Sequence, residues 1–511
     1  MMKKGNISIR HFNVHWPGIV LICLYLCVCL CLFTLSSARA DSLSPNEKSQ
    51  LFQVYATDQL KEAFRRISLT FDDLSHDDMV LRRDGNKTYL YVGMKREGKN
   101  YYTFDVSNKL DPKLVFSIKG GDGEYARLAQ TWSRPTITQI RIGTTVMDVM
   151  IIGGGYDVSQ DDKVIRSVDS TGNAIFIIDA NTGIKLYEIT SDDADLKISE
   201  MQYSITGRIS TIDRDADGLA DHLYAADLGG QIFRIDIYNG KTGNNVIKGG
   251  LLADFNGDTK TTNRRFYYGP DVTEVVTVNE PYFAVAIGSG FRDGPVNSNV
   301  QDSFYMLKDK GVYSKDDNAH FTFPNGAYTV KDLYDATNHQ LTSGDIILKT
   351  TAYSDLNMLA GWRIDLQACG ETVLISPLIL NYQILFTTYS AASDNLANCS
   401  FTADTGQAYL VDLLTGNAVV DLDQDMLITR ADRAVKLHQT KIASAPTIVI
   451  KNLVKPVVCV GSDCASAVIE FDANGNEIPC KNDFACLVQN IFGRFERIQP
   501  LSWTTEIEIK P

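Results

Sequence analysis

One short pattern recurs along the chain and limits what it can fold into. An apolar stretch with a two-residue period closes on an aspartate, and a glycine turn often follows. It ends at Asp105, Asp179, Asp236, Asp309, Asp365, Asp412 and Asp472. These ends lie on average about 60 residues apart, near the ~40–50 of propeller repeats once loops are inserted. Further stretches at 89–92, 148–152, 174–178 and 282–287 are rich in β-branched and aromatic residues and bounded by Gly, Asn and Asp, as short strands are. Residues 59–67 are the best short helix candidate. A four-stranded sheet of this kind cannot bury both faces alone, so it must stack on neighbours, and radial closure would hide its edges. The expected fold class is all-β, a modified seven-bladed β-propeller. Chance resemblance among hairpins of a β-sandwich or β-helix is the competing explanation of the repeat.

The sharpest local feature is Asp213-Arg214-Asp215-Ala216-Asp217-Gly218-Leu219-Ala220-Asp221. Carboxylates stand at positions 1, 3, 5 and 9, with glycine at position 6. Calcium takes six to eight oxygens at about 2.3–2.6 Å in a flexible shell. The spacing lets Asp213, Asp215 and Asp217 wrap one side, the Leu219 carbonyl add a main-chain oxygen and Asp221 close the loop. Crowded carboxylates repel without a cation, so the loop is expected to order on binding Ca2+. The flanks read as strands, and Tyr224 stands where an EF-hand has its closing Glu. A solvated acidic turn is the plain alternative. Two weaker echoes, Asp421/Asp423/Asp425 and Asp254/Asn256/Asp258, lack glycine at the right step and read as surface loops.

The first 40 residues read as an export signal. Lys3, Lys4 and Arg10 precede an apolar run from about residue 19 to 35, and Ala38-Arg39-Ala40 is a small-x-small cleavage pattern. An uncleaved anchor is the alternative, the run being near the ~18-residue lower limit for a span. Residues 41–78 are then a short extension, 79–500 the propeller and 501–511 a tail, with no stable membrane span after cleavage. The remaining cysteines are Cys369, Cys399, Cys459, Cys464, Cys480 and Cys486, an even set that favours disulfides in an exported chain. Their connectivity is open; local pairs Cys459–Cys464 and Cys480–Cys486, with Cys369–Cys399, are the expectation, and the spacings do not match a zinc knuckle. The net charge of −13 becomes −17 once the four cations and no acids of the signal are removed. Such a surface repels nucleic acid and anionic lipid and leaves carboxylates for hard cations.

The stretch from Asp213 to Ile237 resembles the PilY/PilC family of type IV pilus assembly and tip-adhesin proteins. The acidic loop runs straight into Asp221-His222-Leu223-Tyr224-Ala225-Ala226-Asp227-Leu228-Gly229-Gly230-Gln231-Ile232-Phe233-Arg234-Ile235-Asp236. Collinear cues lie at 90–94, 100–102, 131–135, 153–157, 172–175 and 361–365. The resemblance implies a modified seven-bladed propeller, one calcium held at Asp213, Asp215, Asp217, Leu219 and Asp221, and a place at the pilus tip or its secretion machine. It further implies support of pilus extension, twitching motility and attachment, with minor pilins, the pilus machinery and possible host-cell surfaces as partners. Periplasm, outer membrane, pilus tip or cell surface is the implied location. Family members usually carry a long N-terminal region, often a von Willebrand A fold. Only about 40 residues separate Ala40 from the first expected blade, so the expectation is the biogenesis propeller alone.

No enzyme is expected. The histidines after the signal form no His-Glu-x-x-His pair, and Gly288-Ser289-Gly290 is not a nucleophile elbow. His222 reads as a wall residue, and Trp132 and Arg134 as packing before function. An exported quinone-dependent dehydrogenase propeller is one rival, although the tryptophan-rich blades and adjacent cysteines expected of it are missing. A general surface adhesin without a pilus link is the other.

Overall fold

The inner strands of the sheets carry apolar residues on both faces, and that demands a neighbour on each side. In the computed structural model, which describes residues 79–491 except 109, 162, 258, 277–279, 293–299, 343–344, 369, 391–392, 397–398, 402–404, 440–441, 452–454, 467–482 and 490, the second to fifth sheets have one on each side. The first sheet is β1 (Val80–Asp84), β2 (Lys87–Gly93), β3 (Tyr101–Asp105) and β4 (Lys113–Ile118), in chain order. The second follows in order through β5 (Thr136–Ile142), β6 (Thr145–Gly153), β7 (Ala174–Asp179), β8 (Lys185–Thr190) and β9 (Leu196–Lys197). The third is β10 (Ser210–Ile212), β11 (His222–Ala226), β12 (Gln231–Ile237) and β13 (Ile247–Asp254).

In the fourth, β14 (Asp271–Val275), β15 (Tyr282–Gly288) and β16 (Ser303–Asp309) are followed in space by β18 (Gly361–Asp365), with β17 (Tyr334–Asp335) outermost. Helix α1 (Ile346–Met358) lies between β17 and β18 in the chain; Asp345 caps it by accepting from the Ile347 and Leu348 amides. The fifth sheet joins β19 (Leu378–Leu380), β20 (Gln383–Ser390), β23 (Thr405–Asp412) and β24 (Ala434–Lys436), with the ribbon β21 (Ser393–Leu396) and β22 (Cys399–Phe401) inserted. The last has β25 (Thr447–Lys451), β26 (Lys455–Val460) and β27 (Asp463–Ser466), followed by the short helix α2 (Phe484–Val488). No helix among the described residues is long and apolar enough to cross a membrane.

The chain is therefore all-β in architecture, and its cores lie between consecutive sheets. In β11, Leu223 and Ala225 face Ile151 and Ile175 of the second sheet, while Tyr224 and Ala226 face Val285 and Tyr305 of the fourth. The same alternation buries Tyr91 and Tyr101 against Phe176, Phe304 and Trp362 against Phe386, and Leu385 and Leu410 against Val458 and Val460. The first strands β1, β5, β10, β14 and β19 touch one another in succession. Burying a side chain of this size is worth roughly 1.5–3 kcal/mol, so the second to fifth sheets are each held by both neighbours.

The aspartate-ended repeat falls on β3, β7, β12, β16 and β23, each third in its sheet. It does not count sheets one for one. Asp309 of β16 and Asp365 of β18 end adjacent strands of the same sheet, because the long insertion with α1 lies between them. Asp472 lies outside the described residues, as do the signal at 1–40, the helix expected at 59–67 and the tail at 501–511. Cys459 and Cys464 form a disulfide across the β26–β27 pair, as expected. Cys486 is also disulfide-bonded. Cys369, Cys480 and the Cys399 side chain lie outside the described residues.

Candidate metal centre

The acidic loop is the connection of a β-hairpin. Ile212 of β10 pairs with His222 of β11, and residues 213–221 span the gap. Backbone ties hold both its ends. The Asp221 amide donates to the Ile212 carbonyl at 2.7 Å, and the Asp221 carbonyl accepts from the Ile237 amide at 2.7 Å. The Ala220 amide donates to the Gln139 carbonyl of β5 at 2.8 Å, so the second sheet also fixes the loop. Asn239 braces it from a third side, its Nδ2 donating to the Ala220 carbonyl at 3.1 Å and to Asp221 Oδ1 at 3.3 Å.

Within the loop the chain folds around the Asp213 carboxylate. The Gly218 amide donates to Asp213 Oδ2 at 2.8 Å and the Asp217 amide to Asp213 Oδ1 at 3.2 Å. That turn needs left-handed backbone at two positions: Gly218 has φ +89° and Ala216 φ 59°. Glycine takes this conformation without steric cost, which is why it stands at position 6.

Asp213, Asp215 and Asp221 come together, each offering an oxygen within 4.8 Å of the others. Asp217 is not in that trio; its Oδ1 accepts from the Leu219 amide at 2.9 Å. Leu219 is buried. Burial, with Asp215 as a smaller contribution, raises the Asp221 carboxyl above its ordinary range, so a proton competes there with any cation. The donor set is all oxygen and anionic, with no sulfur or imidazole. That suits a hard divalent ion such as calcium and not a soft one.

The other acidic alternation differs from its sequence expectation. Asp421 and Asp423 gather with Asp432, not with Asp425. The turn repeats that of the first loop. Gln424 (φ 61°) and Met426 (φ 68°) are left-handed where Ala216 and Gly218 are, and the Met426 amide donates to Asp421 Oδ2 at 2.8 Å. Methionine at the glycine position strains the backbone without preventing the turn. Asp432 was not legible as a member because it lies inside a 3-10 turn, Arg430–Arg433, where its carboxylate accepts from the Thr429 amide in a capping box. At the third site Asp254 is engaged by Arg166 at 2.8 Å, and Asp258 is outside the described residues.

Other singled-out residues have structural roles. His222 is fully buried, its Nδ1 2.7 Å from Asp236 Oδ1. Ser289 is buried and donates to Asp302 Oδ1 at 2.7 Å, and its flanking glycines let the backbone pass close to Thr372 and Val373. The Trp132 indole donates to Gln130 Oε1 at 3.2 Å.

No family model matches the chain. A type IV pilus biogenesis factor PilY1 homolog of Xylella fastidiosa is 24% identical over 356 residues, 66% of this chain and 22% of that protein. Type IV pilus biogenesis factor PilY1 of Pseudomonas aeruginosa is 26% identical over 236 residues, 43% of this chain and 17% of its own length. The curated homologues of this chain are PilY1 factors. Against these PilY1 proteins, the matched stretch spans about a fifth of their length. The crystal structure of the P. aeruginosa PilY1 C-terminal domain superposes with a TM-score of 0.53 at 17% identity, covering 76% of this chain and 82% of that one. The PilY1 likeness thus extends to the fold. The resemblance drawn from residues 213–237 and the collinear cues is borne out.

Proposed function

We propose that this chain is an exported, calcium-dependent type IV pilus biogenesis protein that supports pilus extension, twitching and attachment from the pilus tip or its secretion machine. In this reading residues 79–500 form a modified seven-bladed propeller. Face-to-face stacking of consecutive sheets and the succession of touching first strands support it. One calcium is held by Asp213, Asp215 and Asp221, with Asp217 and the Leu219 carbonyl closing in. The observation that carries the metal assignment is the convergence of three carboxylates in the β10–β11 hairpin, in a chain whose homologues are pilus biogenesis factors.

The ion would supply positive charge that offsets carboxylate repulsion. The chain's own part is to hold the loop between the second and third sheets through Gln139, Asn239 and Ile237. A ligand shifts a conformational equilibrium only by its differential affinity for the two states, so occupancy favours the arrangement in which this hairpin is ordered. Minor pilins or the outer-membrane pore are the partners such a surface would meet. The role is mechanical and not catalytic.

Isothermal titration of the purified chain with calcium tests the site. Asp213→Ala is expected to weaken binding at least tenfold, and more than Asp217→Ala, because Asp213 belongs to the trio and orders the turn. Undiminished calcium affinity in Asp213→Ala overturns the assignment. Deleting the gene and scoring surface pili and twitching tests the pilus role separately.

A further inference from the structure

The end of the third sheet opposite the acidic hairpin carries a different chemistry. Segments entering β5, β10 and β14 and leaving β6, β11 and β15 all lie at that end. They tie to one another through backbone bonds, among them Gly155 to the Ile205 carbonyl and Gly290 to the Arg265 carbonyl, both at 3.0 Å. Tyr156, Leu228 and Tyr267 form a small buried cluster there, with Trp132, Tyr268 and Phe291 packed on it.

Arg292 lies over this cluster. Its guanidinium carbon is 5.3 Å from the Trp132 ring centre and 5.7 Å from that of Tyr268. It is partly buried, yet no hydrogen bond or ion pair engages it among the described residues. The contrast with other inward-lying arginines is sharp: Arg166 holds Asp254, Arg234 holds Asp236 and Asp309, and Arg363 holds Asp335. In a chain this acidic, a cation lying over two rings and without an anion among the described residues keeps its donor edge free of them. A guanidinium in that state matches a carboxylate, which its fork can engage with two parallel bonds.

We infer that Arg292, held between Trp132 and Tyr268, anchors a binding site for an acidic polypeptide segment and takes one of its carboxylates. The ring geometry favours a peptide over an acidic sugar. A pyranose needs an open aromatic face, and the Trp132 ring already has Arg292 over it and the Tyr156 ring 5.3 Å away. The remaining recognition element is the guanidinium edge. This site lies away from the metal hairpin and does not depend on it.

The test uses the full chain and a blocked 12-residue peptide alternating Glu and Ser, with its Gln–Ser counterpart as control. Fluorescence anisotropy of the labelled peptide and tryptophan emission of the protein report binding. The Glu–Ser peptide is expected to bind saturably, with or without EGTA, and the Gln–Ser peptide not to bind. Arg292→Ala should weaken binding at least tenfold while leaving the near-ultraviolet circular dichroism unchanged. Should that variant fail to fold, Arg292→Gln keeps a planar group between the rings and carries the same expectation. Equal binding by the folded variant, or no saturable binding by the wild type up to millimolar peptide, overturns the proposal. Displacement of the peptide by a glucuronate oligomer at equal concentration overturns the polypeptide assignment.

Discussion

His339 is buried in the turn before α1 with both ring nitrogens engaged. Nδ1 lies 2.6 Å from the Thr342 hydroxyl oxygen, and Nε2 accepts from the Ala418 amide at 3.0 Å. That amide donor requires an unprotonated Nε2. Burial first, and then the nearby Arg433, push the imidazole down to about 4; Asp432 opposes them more weakly. Above the ordinary histidine value near 6.5 both folded and unfolded chains are neutral there, and the group adds no pH dependence. Between about 6.5 and 4 the unfolded chain takes up a proton that the folded one refuses, so stability falls as pH falls. At pH 4.5 the loss is on the order of 2 kcal/mol. Asp169 and Asp271, both raised to about 6 by burial, act with the opposite sign and are common to wild type and variant. Urea unfolding of wild type and His339→Gln at pH 7 and pH 4.5 should show a smaller acid loss in the variant. Equal losses in the two proteins would show that the imidazole does not titrate as argued.

At the scale of elements, the insertion between β16 and β17 straps the fourth sheet to the acidic hairpin. Phe321 is packed between the Arg214 guanidinium at 5.0 Å, the His222 ring at 4.9 Å and the Tyr238 ring at 5.7 Å, and its amide donates to the Tyr238 hydroxyl at 2.8 Å. Beside it the Thr322 carbonyl accepts from Arg234 at 2.8 Å, and Phe323 lies 4.0 Å from the Arg234 guanidinium carbon. Arg214 is position 2 of the acidic loop, so the strap and the Asp213, Asp215 and Asp221 trio share a wall. Phe321→Ala should cost about 3 kcal/mol in urea unfolding. It should also weaken calcium binding several-fold by calorimetry at a temperature where the variant is folded. Lost stability with unchanged affinity would confine the strap to holding sheets together. None of this coupling was legible in the sequence, because residues 214 and 321 are joined only by tertiary packing. The hairpin itself was legible, since alternating aspartates and Gly218 are local signals. Asp432 beside Asp421 was not, because a capping aspartate and a ligand aspartate look alike in one dimension. The strands were readable from their period. Sheet membership was not, because nothing local tells that β18 pairs with β16.

For the whole molecule, stacked sheets make the hairpin's stability a property shared with its neighbours. The third sheet buries one face on the second and the other on the fourth, and the acidic loop hydrogen-bonds to β5 of the second. A cation bound only by the folded chain therefore stabilises more than the loop. By mass action the gain is about 2.7 kcal/mol at a free calcium concentration one hundred times the Kd. In a protein of this size that corresponds to a rise in Tm of a few degrees. Differential scanning calorimetry in excess calcium and in EGTA should show this rise, and Asp213→Ala should lose most of it. Whatever shift survives in Asp213→Ala measures what the Asp421 loop holds, and Asp421→Ala read alongside separates the two. The same Tm in calcium and EGTA for the wild type would mean that neither loop takes the ion in the folded chain. An undiminished shift in Asp213→Ala that vanishes in Asp421→Ala would move the site from the third sheet to the connection between β23 and β24.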